Sequence, residues 1–141
     1  RGGAIPALEL IHMCFSGKYT QADMKKLLRG KGGMMAYLGT SDARVIEKRI
    51  AEGDEKAKEI YEAQAYQVAK GIGLLSATMK GNVDAIILTG GMAYSKRLPA
   101  AIEAYVKKIA PIMILPGENE MLSLAQGALR VLRGEEQALK F

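Results

Sequence analysis

The sequence contains a single cysteine and a single histidine, and these scarcities exclude several classes of site. Cys14 has no partner for an intramolecular disulfide, which is typical of a reducing compartment, so we expect a cytoplasmic protein. With only His12 near it, neither a zinc site nor a Cys/His catalytic pair is favoured, and both residues are interpreted as structural.

Long apolar runs are also missing. No run approaches the roughly 20 residues that a helix needs to cross a bilayer, and the N-terminus lacks the apolar core of a secretory signal. We therefore predict no membrane segment. An initiator methionine is absent as well, so the chain is expected to be processed, truncated or excerpted.

The charge is basic but dispersed. Twenty basic and 15 acidic residues give a net charge of +5 and mostly alternate in sign. The densest basic stretch, residues 25–31, has no aromatic residue interleaved. It fits either a phosphate-binding patch or a solvated helix face, and the second interpretation is favoured. No nucleic-acid partner is expected.

The first half of the chain predicts helices separated by glycines. Residues 1–30 are predicted as a helical segment in two pieces, the first ending at Ser16-Gly17 and the second capped by Thr20. Residues 34–38 fit no single state. A further helix follows Asp42, with a predicted buried stripe of Val45, Ile46 and Ile50.

A long helix is predicted from about Glu55 to Lys80. Its apolar residues recur every three or four positions, which indicates one buried face; they are Tyr61, Ala65, Val68, Ile72, Leu75 and Met79. Gly71 and Gly73 lie inside this helix and weaken it. We expect them to mark close packing against a neighbour.

Two short apolar runs predict a parallel pair of strands. Residues 83–89 form a near-continuous run of the kind that is covered on both faces of a sheet, and Ile112–Leu115 forms the second strand. A helix beginning at Pro99 lies between them, which implies a parallel crossover. A last helix follows Asn119, with a predicted inner face of Met121, Leu124, Ala125, Ala128 and Leu132. Two strands are too few for a stable sheet, so we expect part of a larger α/β domain.

Candidate ligand-binding residues follow the strands, because ligands of open α/β sheets bind beyond the carboxyl ends of the strands. Gly90 and Gly91 leave backbone N–H groups accessible, which suits either a ligand or tight packing. The loop matches neither the dinucleotide fingerprint nor the P-loop. Asp42 and Arg44 are interpreted either as a helix cap and a solvated charge, or as contacts to a sugar hydroxyl and a purine. Glu120 either complements a helix dipole or lies near Mg²⁺.

Five blocks of the sequence occur together in an order that is more specific than any one motif. They are CFSGKYT at 14–20, GKGGMMAYLGTSDAR at 30–44, DEKAKEIYEAQAYQVAK at 54–70, DAIILTGGMAYS at 84–95, and PGENEMLSLAQGALRVL at 116–132. Together they resemble the C-terminal part of the butyrate kinase branch of the acetate kinase family, within the actin/sugar-kinase/Hsp70 ATPase superfamily. The resemblance implies an α/β fold. Residues 31–141 would form a portion of the C-terminal actin-like (ribonuclease H-like) nucleotide-binding domain, with parallel strands and covering helices. Residues 1–30 would form the preceding helical segment, and the N-terminal domain would be absent from this chain.

The resemblance also implies phosphoryl transfer between ATP and a short-chain carboxylate, giving an acyl phosphate and ADP in the presence of Mg²⁺. The residues that it assigns to the adenosine side of the cleft are Asp42, Ala43, Arg44, Gly90, Gly91, Met92 and Ser95. It places Glu120 near the metal, directly or through water. The family's catalytic residues precede this segment, so none is expected here, and the segment alone is predicted to be inactive.

The carboxylate is not identified by this segment. The acetate branch usually has Gly-Gly-Ile-Gly-Glu-Asn where this chain has GGMAYS, and a larger residue where Ala43 stands, which favours butyrate. The alternatives are an acetate or propionate kinase, or a non-catalytic nucleotide-binding or interaction module of actin-like fold. The resemblance also implies a homodimer of the complete enzyme, because members of the family commonly pair through their C-terminal halves.

Overall fold

The computed structural model describes residues 5–138, which form seven α-helices and two β-strands. The helices are α1 Ala7–Phe15, α2 Gln21–Lys26, α3 Met34–Leu38, α4 Ala43–Ala51, α5 Glu55–Thr78, α6 Arg97–Val106 and α7 Glu120–Leu132. The strands are β1 Ile86–Gly90 and β2 Ile112–Pro116, and single helical turns occupy Leu27–Lys31 (π) and Gly91–Tyr94 (3₁₀). Residues 1–4 and 139–141, the outer ends of the two predicted segments, lie outside the described residues.

Local capping signals explain where several helices begin. Thr20 caps α2 as predicted, and it does so through a reciprocal capping box with Asp23. Asp42 caps α4 and Asp54 caps α5, each through its side-chain carboxylate. Residues 34–38, unassigned from sequence, form the short helix α3.

The two strands pair in parallel, as predicted, with Ile86 opposite Ile112 and Gly90 opposite Pro116. Helix α6 lies between them in the sequence, and Ile86 of β1 belongs to the same buried cluster as Ile102 of α6. Both strands therefore end at the same edge, where Gly90 and Gly117 exchange backbone hydrogen bonds of 3.2 and 3.4 Å. The loops that follow β1 and β2 consequently lie side by side.

The core lies between α4, α5 and α6. Ala57, Tyr61, Ala65 and Ala69 recur every four residues along α5 and are buried. The alanines bring the neighbouring helices close, and Ile46 of α4 packs against this face. Leu98, Ile102 and Val106 of α6 complete the cluster. Each fully buried large side chain contributes about 1.5–3 kcal/mol through the hydrophobic effect.

The predicted buried faces are only partly correct. In α4, Ile46 is buried but Val45 is 47% exposed. Leu75 in α5 and Met79 directly after it are exposed, and the last buried residue of this helix is Ala69. The close packing expected at Gly71 and Gly73 is wrong within residues 5–138, because no atom lies within 4 Å of a Cβ added at either position.

The sheet and the last helix are also more open than predicted. Ile87 of β1 is 57% exposed, so the strand is not covered on both faces by residues 5–138. Helix α7 has no buried residue, and Met121, on its predicted inner face, is 80% exposed. The predicted α/β class is therefore confirmed in part: the described chain is mostly helical, with one two-stranded parallel sheet. Over this same range, no helix is long and apolar enough to cross a bilayer.

Candidate functional site

A cavity of about 630 Å³ opens at the sheet edge where β1 and β2 end. We call it the strand-end cavity. Its first wall is Ser41–Arg44, at the start of α4, and its second wall comes from the turn after β1; the second wall is Gly91, Met92, Tyr94 and Ser95. Glu47 and Glu118 complete the lining. Two segments that are far apart in sequence therefore face one space.

The structure brings most of the predicted nucleotide-site residues together. Asp42, Ala43 and Arg44 line the cavity opposite Gly91, Met92 and Ser95. Gly90 ends β1 beside the cavity but is not part of its lining. Glu120 is exposed at the first position of α7 and also lies outside the lining, whereas Glu118, two residues earlier, lies within it.

The first wall is held by the Asp42 carboxylate. Asp42 Oδ1 accepts a hydrogen bond from the Arg44 backbone N–H at 3.0 Å, which caps α4. The Arg44 guanidinium donates two further bonds to the same carboxylate, at 3.0 and 2.6 Å. These hydrogen bonds from Arg44 lower the pKa of Asp42 to about 2, so the carboxylate is ionised at neutral pH. The Arg44 side chain remains 90% exposed, so its planar guanidinium is accessible.

The second wall depends on Gly90 and Gly91. Gly90 has φ +83°, a left-handed conformation that favours glycine, and a Cβ there would have no atom within 4 Å. A Cβ on Gly91 would meet only Glu118 Oε1, at 3.6 Å. Close packing by residues 5–138 therefore does not explain this pair. Gly90 permits the turn, and Gly91 leaves its backbone open toward the cavity.

Glu47 joins the two walls, and sequence reasoning missed it. Its Oε1 atom accepts hydrogen bonds from Ser95 Oγ at 2.5 Å and from Tyr61 Oη at 2.6 Å. Burial, followed by the bond to Glu47, raises the pKa of Tyr61 to about 12, so its hydroxyl stays a donor at neutral pH. Glu47 lies four residues after Ala43 on α4, so the helical period places both on one face. This four-residue spacing is the sequence signal that could have identified Glu47 as a cavity residue.

A larger cavity, of about 800 Å³, lies between residues 29–37 and α5. It shares only Ser41 with the strand-end cavity, and no residue of β1 or β2 lines it. Of the predicted basic stretch, Arg29 lines this cavity and the three lysines do not. Among residues 5–138, the strand-end cavity included, no three His, Cys, Asp or Glu side chains converge as a metal site.

Comparison with known proteins places the chain in a family. The model of the acetokinase family matches residues 1–112. The chain is 55% identical over 136 residues to "Probable butyrate kinase 2" of Caldanaerobacter subterraneus subsp. tengcongensis, covering 96% of this chain and 38% of that protein. It is 51% identical over 141 residues to "Butyrate kinase 1" and to "Butyrate kinase 2" of Clostridium acetobutylicum, covering all of this chain and 40% of each relative. The chain thus spans about 40% of the length of these curated relatives.

Solved structures show the same fold. The acetate kinase of Porphyromonas gingivalis superposes with a TM-score of 0.79 at 20% identity, covering 94% of this chain and 39% of that one. A propionate kinase from Francisella tularensis subsp. tularensis superposes with a TM-score of 0.63 at 24% identity, covering 77% of this chain and 28% of that one. The described fold is therefore similar to part of an acetate kinase.

Proposed function

Because this chain belongs to the acetokinase family, we propose that it supplies the adenosine side of the ATP-binding cleft in an enzyme that phosphorylates butyrate or a branched analogue. The single observation that carries this proposal is the strand-end cavity, where the segments containing Asp42 and Gly91 face each other. The names of the three curated relatives above, each printed as a butyrate kinase or probable butyrate kinase, support the choice of substrate.

Each wall offers chemistry that suits a nucleoside. The ionised Asp42 carboxylate accepts hydrogen bonds from ribose hydroxyls, and the exposed Arg44 guanidinium stacks on a purine. Met92 supplies an apolar, polarisable surface for the flat base. Gly91 allows the ligand to approach the backbone, since it has no side chain to fill the cavity.

The reaction requires more than this segment. Phosphoryl transfer depends on aligning the two substrates and neutralising charge around the transferring group. We assign no catalytic residue within this chain and propose that those groups lie elsewhere in the complete enzyme. Mg²⁺, when bound, would neutralise phosphate charge, and we propose that Glu120 lies near it and contacts it through water. We also propose that the complete enzyme is a homodimer, which sedimentation analysis would contradict by finding a monomer.

The test is a glycine-to-valine change in the second wall of the complete enzyme. The β-branched methyl groups of valine in Gly91→Val extend into the cavity, so we expect the KM for ATP to rise about tenfold or more. The KM for butyrate should stay within about twofold of the parent value, because the substitution does not change how butyrate binds. Steady-state kinetics with each substrate varied in turn measures both values.

The matched control is Gly73→Val, the same change on α5, where a Cβ has no atom within 4 Å. It should leave the KM for ATP unchanged. An equal rise in both KM values for Gly91→Val would contradict an adenosine wall. An effect of Gly73→Val as large as that of Gly91→Val would show that the change acts through stability instead.

A further inference from the structure

We propose that Glu47 is a positioning residue that holds the two walls of the strand-end cavity at the separation a nucleoside needs. The inference rests on the proposed function, because it assigns a role within the same cavity. In this proposal Glu47 contacts the opposite wall of the cavity and does not contact the reacting atoms.

The geometry links three elements through one oxygen atom. Glu47 extends from α4, and its Oε1 accepts from Tyr61 Oη on α5 and from Ser95 Oγ beyond β1. We call this the Glu47 bridge (Tyr61–Glu47–Ser95). Tyr61 is buried in the core, so its end of the bridge is fixed by packing. The first wall, on α4, is thereby tied to α5 and to the second wall at the same point.

Ser95 connects Glu47 to the backbone of its own loop. A serine hydroxyl has one donor hydrogen and two acceptor lone pairs. Its hydrogen is donated to Glu47, and its oxygen accepts from the backbone N–H groups of Arg97 at 3.1 Å and Leu98 at 3.0 Å. The hydroxyl has no remaining capacity for a ligand. Ser95, although it lines the cavity, therefore acts by joining the start of α6 to Glu47.

The consequence is a defined cavity width. Without the bridge, α4 is still capped by Asp42 and still packs through Ile46, so its fold survives. The turn that carries Gly91 and Met92 would lose its polar tie to α4, however. Loss of the bridge should therefore misplace the second wall without unfolding the protein.

The experiment compares two substitutions of one residue in the complete enzyme. Glu47→Ala removes both acceptor oxygens and should raise the KM for ATP about tenfold. Glu47→Gln keeps an amide oxygen that can accept from Ser95 and Tyr61. It should bring the KM for ATP back to within about threefold of the parent value, and neither change should alter the KM for butyrate by more than about twofold.

Ser95 provides an independent pair of variants. Ser95→Ala removes the donor, whereas Ser95→Thr keeps a hydroxyl; the first should raise the KM for ATP and the second should largely restore it. The double variant Glu47→Ala/Ser95→Ala should be no worse than Glu47→Ala alone, because both remove the same bridge. Val106→Ala, a core truncation away from the cavity, controls for lost stability: it should lower the melting temperature and leave the KM for ATP unchanged.

The outcomes separate this inference from the proposed function. A normal KM for ATP in Glu47→Ala, alongside a raised value in Gly91→Val, would overturn the role of Glu47 and leave the adenosine wall standing. Normal values in both variants would overturn the proposed function itself. Should Glu47→Ala fail to fold, the Ser95 pair decides: equal KM values for Ser95→Ala and Ser95→Thr overturn the inference.

Discussion

At the scale of single residues, two adjacent glycines serve different needs. Gly90 is required for its backbone conformation, because φ +83° is costly for a residue with a Cβ. Gly91 has an ordinary φ, and a side chain there would enter the strand-end cavity, so we propose that this glycine leaves space for the ligand. The distinction explains why a substitution at Gly91 tests ligand access without adding backbone strain.

Two neighbouring carboxylates allow the proposed magnesium contact to be tested at this same scale. Glu120 is the proposed partner, whereas Glu118 lies in the cavity beside Gly91. We expect Glu120→Gln to raise several-fold the Mg²⁺ concentration needed for half-maximal activity, because an amide is a weaker ligand for Mg²⁺ and its bound waters. Titration of activity with Mg²⁺ at fixed ATP measures this concentration.

Glu118→Gln is the parallel variant and should shift the Mg²⁺ titration less. The reverse order of effects would assign the metal contact to Glu118. It would leave Glu120 as a carboxylate that complements the dipole at the start of α7.

At the scale of secondary-structure elements, α5 provides a stability prediction. Gly71 lies within the helix, is exposed and has open space where a Cβ would be. We expect Gly71→Ala to raise the free energy of unfolding by about 0.5–1 kcal/mol, because alanine loses less backbone entropy in a helix. Urea denaturation of the complete enzyme, followed by circular dichroism, measures the change.

The same substitution at Gly81 is the control. Gly81 follows α5 with φ +78°, where alanine is strained, so Gly81→Ala should destabilise the protein. Destabilisation by Gly71→Ala would instead reveal a neighbour packed against α5, as the sequence alone predicted.

Helices α4 and α7 show what the apolar pattern of a single helix can predict and what it cannot. Both are amphipathic, and both begin where the sequence predicted, directly after Asp42 and Asn119. Only α4 buries part of its predicted stripe, through Ile46 against α5. Within residues 5–138, α7 has no element against which to bury its apolar residues. The pattern predicts a helix but not its partner.

At the scale of the whole molecule, many large apolar side chains are exposed. Ile87, Met113 and Leu115 on the strands and Met121 and Leu124 on α7 are examples. Contiguous patches of exposed apolar side chains mark surfaces that contact another part of a protein or a partner, whereas isolated ones are ordinary. This agrees with a chain that spans about 40% of the length of its curated relatives.

We predict that the 141 residues alone form no acyl phosphate from ATP, Mg²⁺ and butyrate, whereas the complete enzyme does. The reason is that we propose a nucleoside site in the strand-end cavity but assign transfer chemistry to no residue of this chain. A hydroxamate assay for acyl phosphate, run on both proteins, measures this difference. Product formation by the 141 residues would contradict the prediction, and an inactive complete protein that still binds ATP would favour a non-catalytic nucleotide-binding module.

Short-range patterns in the sequence predicted every described helix except α3, several of the helix caps, the parallel strand pair and the two loops that form the cavity walls. These features depend on short-range effects: the helical period, side-chain capping by Thr20, Asp42 and Asp54, and the conformational freedom of Gly90. The tertiary structure decided which faces are covered and which polar atoms meet. Burial of Ile46 but not Val45, the entry of Glu118 into the cavity, and the contact of Glu47 with Tyr61 and Ser95 all depend on long-range packing. No periodicity within one element specifies such a contact, because it requires the relative positions of three elements.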